Sequence, residues 1–542
     1  MAMIDQEHIP PSSWQQERAE LHVRTTHLEN HLNGLEQELE KWRQRALAGE
    51  ALVKTLTAER VEQGTVLEAL KAEFDALKQQ VFGKTSEKTV PVDRELKKRG
   101  KVKRDPAKEA ERRRKNKEAR EKLEAERVDH PVDRTGPGCP ECGCDREDFA
   151  PVGDGRQSVT YEYIPAKFIR QENYQEVLAC PCGEHIVVAE GPVKLGEGGG
   201  NYGPGFVSHL MVSRSADAIP FYRMEKQFQR LGIPIARSTM VGVFHRYSQD
   251  LRILVNRLFE LIRTNDVVLA DETPMKMQLK FETGKAGKGY VWVFIADNLI
   301  AYRFSPSRSG RTPLQILGGS TGTLVVDAYT GYNQVTRPDG RHRAGCMAHA
   351  RRKFHKALNS TPEAREALDL ILELYLVEHE AKELGVVRKP RHLVMRKARS
   401  APIMARLHKW LRDQQDLHLP KGPMGKAISY ALNNWKELSQ FLKSEQIPID
   451  NNRSERQLRI VALHRENSLF VGHDEAGENH AVVLSLVATC QANGVNPQEY
   501  LADILLRIQS WPQTRLDDLL PHKWQRLKDA GELPQLNPRA PP

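Results

Sequence analysis

Two short apolar runs in this chain each lead into a carboxylate. Val267-Val-Leu-Ala precedes Asp271, and Leu324-Val-Val precedes Asp327. An acid at the end of a buried strand needs a partner or a metal, because an unpaired buried charge is too costly. Two such acids on neighbouring strands would repel each other unless a divalent cation lay between them. A third acid is then expected, and the segment Asp450-Asn-Asn-Arg-Ser-Glu455-Arg456-Gln-Leu-Arg459 offers it. Asn452 as a helix N-cap would set Glu455 at the third helical position, near the sheet edge. Asn452-x-x-Glu455 is also the pattern of an ordinary capping box. Two strand-end acids upstream and two arginines on the same helix favour the site reading.

A second constellation is built on sulfur. Residues 139 to 190 hold five of the seven cysteines. Cys139-Pro-Glu-Cys142 places two thiols around a tight turn that Gly143 can complete, and Cys180-Pro-Cys182 supplies a second pair. Four thiolates from two turns match a tetrahedral structural zinc site. Only one residue separates Cys180 from Cys182, so Cys144 or His185 can replace one ligand. Cys346 and Cys490 read as core thiols.

Several elements must position these groups. At about 150 residues per domain, 542 residues make three or four units. A heptad frame with Leu32, Leu39, Ala46, Val53, Leu67, Phe74 and Val81 at a, and Leu21, Leu28, Leu35, Trp42, Leu56, Leu70 and Leu77 at d, predicts a coiled coil within residues 14–83 and self-association. Residues 84–130 form a basic linker, with 18 Lys and Arg against 11 Asp and Glu. It has too little apolar periodicity to bury a core. Residues 131–195 hold the zinc module. A helical region follows at 206–264, one helix ending at Gly232 and a longer one capped by Ser238, in a helix-turn-helix-like arrangement. Strands are expected from Asp266, with a hairpin around Asp297-Asn298, a short helix near Thr312–Leu317 and a strand starting at Ala344. The resulting order, β-β-β-α-β-α-β with acids on the first and fourth strands, is that of an RNase H-like fold. Its first part covers 265–359 and its last part, with Glu455, 448–480. The 128 residues from Asp327 to Glu455 require an all-helical insertion at 360–447, which carries a basic stretch from Arg388 to Arg399. A helical C-terminal region closes the chain at 481–542. The fold class is therefore α+β and multidomain.

The charge balance, 81 Lys and Arg against 71 Asp and Glu, favours an anionic partner, nucleic acid first. His349, Arg351, Arg352 and Lys353, and Arg456 and Arg459 beside Glu455, are candidate contacts to a DNA backbone. No run approaches a membrane span, and the first residues lack a signal-peptide pattern, so a cytoplasmic protein is expected.

The chain resembles transposases of the insertion sequence 66 family. The resemblance lies in Asp271-Glu-Thr-Pro, Val326-Asp327-Ala-Tyr-Thr-Gly-Tyr332, Gly345-Cys346-Met-Ala-His349-Ala-Arg-Arg-Lys-Phe354 and Asp450-Asn-Asn-Arg-Ser-Glu455-Arg456. Phe82-Gly83-Lys-Thr-Ser86-Glu87, the cysteine pairs, Ile219-Pro-Phe-Tyr222-Arg223 and Asn493-Gly-Val-Asn-Pro497 fit the same layout. Met347 and the shortened Cys180–Cys182 spacing depart from it. The resemblance implies a DDE-type transposase with Asp271, Asp327 and Glu455 as its acids. Three carboxylates can hold two Mg²⁺ or Mn²⁺ ions roughly 3.5–4 Å apart, one activating the attacking oxygen and the other stabilising the leaving 3′-oxygen. Partners implied are the element ends, target DNA, a second copy of the chain and small accessory proteins of the same element. A catalytically inactive zinc-containing DNA-binding protein and a hydrolytic nuclease of the same fold are the alternatives.

Overall fold

The computed structural model describes residues 106–121, 140–145, 147, 168–179, 186–189, 195, 201–279, 286–468 and 470–536. The expected coiled coil, Cys139, Cys180 and Cys182 lie outside them. The described chain is mixed α+β with a helical majority, and it divides into two compact units.

The larger unit holds the sheet. Within the basic linker, α1 (Pro106–Glu121) is a solvent-facing helix. Its support is local: Glu109–Arg113, Glu111–Lys115 and Arg114–Glu118 pair at i,i+4. In the cysteine region β1 (Val177–Ala179) and β2 (Ile186–Val188) form an antiparallel pair. Four helices follow where a hairpin of two was expected: α2 (Pro204–Ser215), α3 (Phe221–Arg230), α4 (Arg237–Asp250) and α5 (Arg252–Arg263). Met240, Phe244, Tyr247, Leu251, Leu254 and Leu258, spaced by four and three, are buried, but the expected longer helix breaks at Leu251. Gly232 ends α3 with φ 78°. Ser238 is not the cap of α4; the Glu225 carboxylate of α3 accepts from Arg237 N at 3.0 Å instead.

The sheet runs β5-β4-β3-β6-β7. Its strands are β3 (Val267–Leu279), β4 (Ala286–Ala296), β5 (Leu299–Ser305), β6 (Thr323–Val325) and β7 (His342–Ala344), with α6 (Arg311–Leu317) between β5 and β6. The first three are antiparallel, and β6 and β7 add in parallel. The β4–β5 turn falls at Asp297, with φ 46°. Two expectations need correction. Between β6 and β7 the chain makes a 3₁₀ turn, Thr330–Tyr332, where a helix was expected. The last strand ends at Ala344 instead of beginning there.

The smaller unit, residues 347–436, is helical throughout. It contains α7 (Met347–Ala357), α8 (Ala364–Glu383), α9 (Pro390–Met395), α10 (Ala401–Gln415) and α11 (Pro423–Asn433). Phe354, Leu368, Ile371, Leu407, Trp410 and Ile428 are buried in it. A wide π turn over Arg396–Ser400 joins α9 to α10 just before Pro402, which lacks the N–H for a helical bond. The turn sends Arg396 inward, where it is 1% exposed and donates from Nε and Nη2 to Glu378 at 2.8 and 2.7 Å. Arg399 donates to Glu380. Of the rest of the basic stretch, Arg388, Lys389, Arg391 and Lys397 are exposed on the surface.

The larger unit closes with α12 (Asn452–Asn467), α13 (Asp474–Ala492), α14 (Pro497–Arg507) and α15 (Pro521–Asp529). Helix α13 is buried almost all round and seals the outer edge of β5. Ser485 Oγ accepts from Tyr302 N at 2.8 Å, and Thr489 Oγ1 both accepts from Ile300 N and donates to Ile300 O. Two hydroxyls thus replace a missing strand on an edge that would otherwise invite pairing with another chain.

Candidate metal centre

Asp271 sits midway along β3, and its position depends on where β6 stops. β6 accompanies β3 only from Val267 to Leu269. Beyond that the same edge of β3 is covered by α12 and the loop after it. Asn451 Nδ2 donates to Ala270 O at 2.8 Å, Arg465 Nη1 to Pro274 O at 3.0 Å, and Val471 N to Lys276 O at 3.0 Å. Gln278 N in turn donates to Gly472 O at 2.9 Å. Helix α12 therefore stands in for a sheet strand, and its first turn is fixed one residue from Asp271. This also explains how β3 tolerates Pro274, which needs no donor on that edge.

Asn452 is not the N-cap that was expected. Asn451 is the residue before the helix, and its side chain is spent on Ala270 O and on accepting from Ser454 Oγ at 2.8 Å. Its own N–H donates to Cys346 Sγ at 3.1 Å. Asn452 binds back to Asp450 from its backbone and its amide. Glu455 lies in the first turn all the same.

Asp327 follows β6 by two residues and accepts from Tyr329 N at 2.9 Å, just before the 3₁₀ turn Thr330–Tyr332. Asp271 accepts from Glu272 N at 2.9 Å. The three predicted acids converge electrostatically. Burial first, then the charges of Glu272, Asp327 and Glu455, push Asp271 up to about 8, against the opposing hydrogen bond from Glu272 N. Acids that crowd one another in this way fit a hard divalent cation, which takes oxygen ligands and removes the repulsion.

Glu272 was not singled out by sequence reasoning. It faces away from Asp271 on the alternating strand and pairs across the sheet with Trp292. Its carboxylate is 2% exposed and receives Arg308 Nε and Nη2 on Oε1, at 2.9 and 2.6 Å, and Tyr332 OH on Oε2 at 2.6 Å. Burial raises its pKa, while Tyr332 and Arg308 counter the rise. Two consecutive acids in a strand buried on both faces were the available signal, since the second must find a cation or donors of its own. Asn451 was also missed; only its tertiary bond to Ala270 reveals its role.

The candidate DNA contacts divide by exposure. Arg456 and Arg459 are exposed on α12. On α7, Lys353 is exposed with Nζ 4.6 Å from the Tyr430 ring centroid, and Arg352 is half-buried. Arg351 is buried at 4%. His349, also on that helix, is half-buried like Arg352.

Of the sulfur ligands, Cys142 is described. It lies on the turn that Gly143 completes with φ 77°, and its Sγ is 3.3 Å from that of Cys144. Neither thiol is in a disulfide, and their approach fits two ligands of one soft cation.

The model of the transposase IS66 family matches residues 199–479, which span the sheet, the helical unit and all three acids. The chain belongs to that family. Its C-terminal element matches residues 485–522, and the zinc-finger binding domain of the same transposases matches 137–183. Two curated relatives are uncharacterized proteins of Sinorhizobium fredii. The protein y4jD is 32% identical over 71% of this chain and 78% of its own length, and y4qI is 30% identical over 70% and 72%. Among the described residues, no helix of this IS66 family member is long and apolar enough to cross a membrane.

Proposed function

We propose that this chain is an active DDE transposase: it binds the ends of its own mobile element, cleaves DNA there and joins the 3′-ends to target DNA. The observation that carries this reading is Asp271 itself, which burial first, then the charge of Glu272 and the smaller contributions of Asp327 and Glu455, raise to about 8. In the proposal the sheet and α12 form an RNase H-like core in which these three acids hold Mg²⁺ or Mn²⁺. Such ions lower the pKa of an attacking water or 3′-hydroxyl and stabilise the departing oxygen. Asp271 from within β3 and Asp327 from just beyond β6 set the ion positions, and Glu455 closes the set from a helix fixed by Asn451. Arg352, Lys353, Arg456 and Arg459 meet the DNA backbone. Zinc on Cys139, Cys142, Cys180 and Cys182 is structural in this reading, and the 3.3 Å approach of Cys144 makes it a further candidate ligand. Residues 14–83 assemble copies of the chain, and accessory proteins from the same element assist.

The test incubates labelled DNA from both flanks of the gene with protein and Mg²⁺, beside Asp271→Asn, scoring cleaved and joined strands separately. Joined product that disappears in the variant is the expected result. Cleavage without joining would point to a hydrolytic nuclease. Tight binding with no chemistry would point to an inactive DNA-binding protein.

A further inference from the structure

Arg308 is built into the acid cluster in a way that a mere counter-ion would not require. Its Nε and Nη2 both donate to the single oxygen Oε1 of Glu272. Tyr329 lies beneath it, with Cζ 4.0 Å from the ring centroid, and the Tyr329 hydroxyl donates to Arg308 O. Tyr329 is also the residue whose N–H binds Asp327, and Glu272 is the neighbour of Asp271. One guanidinium is thereby tied to the chain next to both strand acids.

Its loop is held as firmly. A Cβ at Gly310 would come within 2.4 Å of Gly331 O, and one at Gly331 within 2.2 Å of the Tyr329 ring. Gly310 needs to be glycine for the two loops to meet, and Gly331 for the Tyr329 ring to keep its place. Exposure separates the two partners: the Glu272 side chain is 2% exposed and that of Arg308 45%. In the helical unit the arginine that serves a buried acid, Arg396, is itself 1% exposed. Arg308 instead covers its acid and turns an edge outward. Among the described residues its hydrogen bonds use Nε and Nη2, which leaves Nη1 for an acceptor from outside.

We infer that Arg308 is a phosphate-binding residue of this site, contacting a DNA phosphodiester next to the one held by the three acids. The inference rests on the transposase reading above. A planar guanidinium already fixed by a carboxylate and a ring gives up little freedom on meeting a phosphate oxygen, and it offsets repulsion between the acid cluster and the incoming backbone. Glu272 and Tyr329 act as positioning residues for it.

The experiment measures binding of a labelled duplex from the gene's flank across a salt series, at constant Ca²⁺ so that oxygen-ligand sites are filled. Arg308→Ala should weaken binding about tenfold and lower the slope of log K against log salt by about 0.9, the loss of one phosphate contact. Arg308→Lys should keep the slope. Because Arg308→Ala strands the buried Glu272 charge, the double variant Arg308→Ala/Glu272→Gln is measured alongside and should show the same lower slope. A wild-type slope in a folded double variant would overturn the assignment. So would an equal loss of slope in Arg308→Lys, which would mark a disturbed loop. The readout does not need strand chemistry. A wild type that binds with the predicted slopes but never cleaves would refute the transposase reading alone, and one that binds no DNA would refute both.

Discussion

Glu378 in the helical unit and Asp271 in the sheet unit are both half-buried carboxylates, yet the chain treats them in opposite ways. Burial alone would raise Glu378, but two bonds from Arg396 and the contact of His392 Nε2 at 3.2 Å outweigh it and hold it below its ordinary value. Asp271 has one backbone N–H and three neighbouring acids, and it rises to about 8. A fold that can answer a buried acid so fully in one unit leaves another acid exposed to repulsion in the second. The first arrangement is complete as it stands. The second keeps its proton to about pH 8 or, in the proposed reading, gives it up to a cation, and that difference separates a structural acid from a proposed ligand.

Four predictions press on this contrast. The largest effect is on chemistry: Asp327→Asn should reduce strand cleavage and joining by about 10³-fold or more, since metal stabilisation of the transition state is worth several kcal/mol. DNA binding should survive, and parallel loss of binding would make Asp327 a structural acid like Glu378. Next comes stability in the helical unit. Arg396→Ala strands Glu378 and should cost about 3 kcal/mol in a denaturant titration. Replacing both partners by apolar residues of similar size should recover most of that; no recovery would mean the pair does more than compensate charge.

The third concerns pH, and the two acids should pull in opposite directions. Without divalent metal, folded Asp271 holds its proton to about pH 8, whereas an unfolded aspartate releases it near about 4. Its contribution to stability is therefore full at low pH and falls as pH rises through that window. Glu378, lowered in the fold, contributes fully above its ordinary value and loses that contribution as pH falls. Thermal melts of metal-free protein should lose stability from pH 5 to pH 8 by an amount that Asp271→Asn removes. Added Mg²⁺ should restore the wild type at pH 8 and not the variant.

The smallest effect tests the placement of Glu455. Asn451→Ala removes the bond to Ala270 O and should cost about 1–2 kcal/mol of stability, with roughly tenfold lower activity. Unchanged activity would mean that α12 is positioned by its remaining contacts to β3.

Much of the local structure around the proposed site was legible in sequence because it follows local rules. An apolar run ending on an acid marked Asp271 and Asp327, and Gly143 and Gly232 took the left-handed turns that their positions implied. What escaped depends on contacts between distant residues. Nothing near Asn451 in sequence reveals Ala270 O, 181 residues earlier. Ser238 looked like a cap, and the carboxylate that does the capping belongs to Glu225 on another helix. β3 was expected to stop soon after Asp271, and it continues to Leu279 because β4 remains beside it and α12 covers the other edge. Arg308 reads as one exposed arginine among many until Glu272 and Tyr329 are placed around it.

The most direct test of the contrast is Mn²⁺ binding followed by electron paramagnetic resonance on the full chain. Wild type, Asp271→Asn and Glu378→Gln would be titrated in parallel, without DNA. The account predicts tight Mn²⁺ sites in wild type and Glu378→Gln, and their loss in a folded Asp271→Asn. Equal Mn²⁺ binding by all three proteins would contradict it, because the crowded acids would then not be the metal ligands.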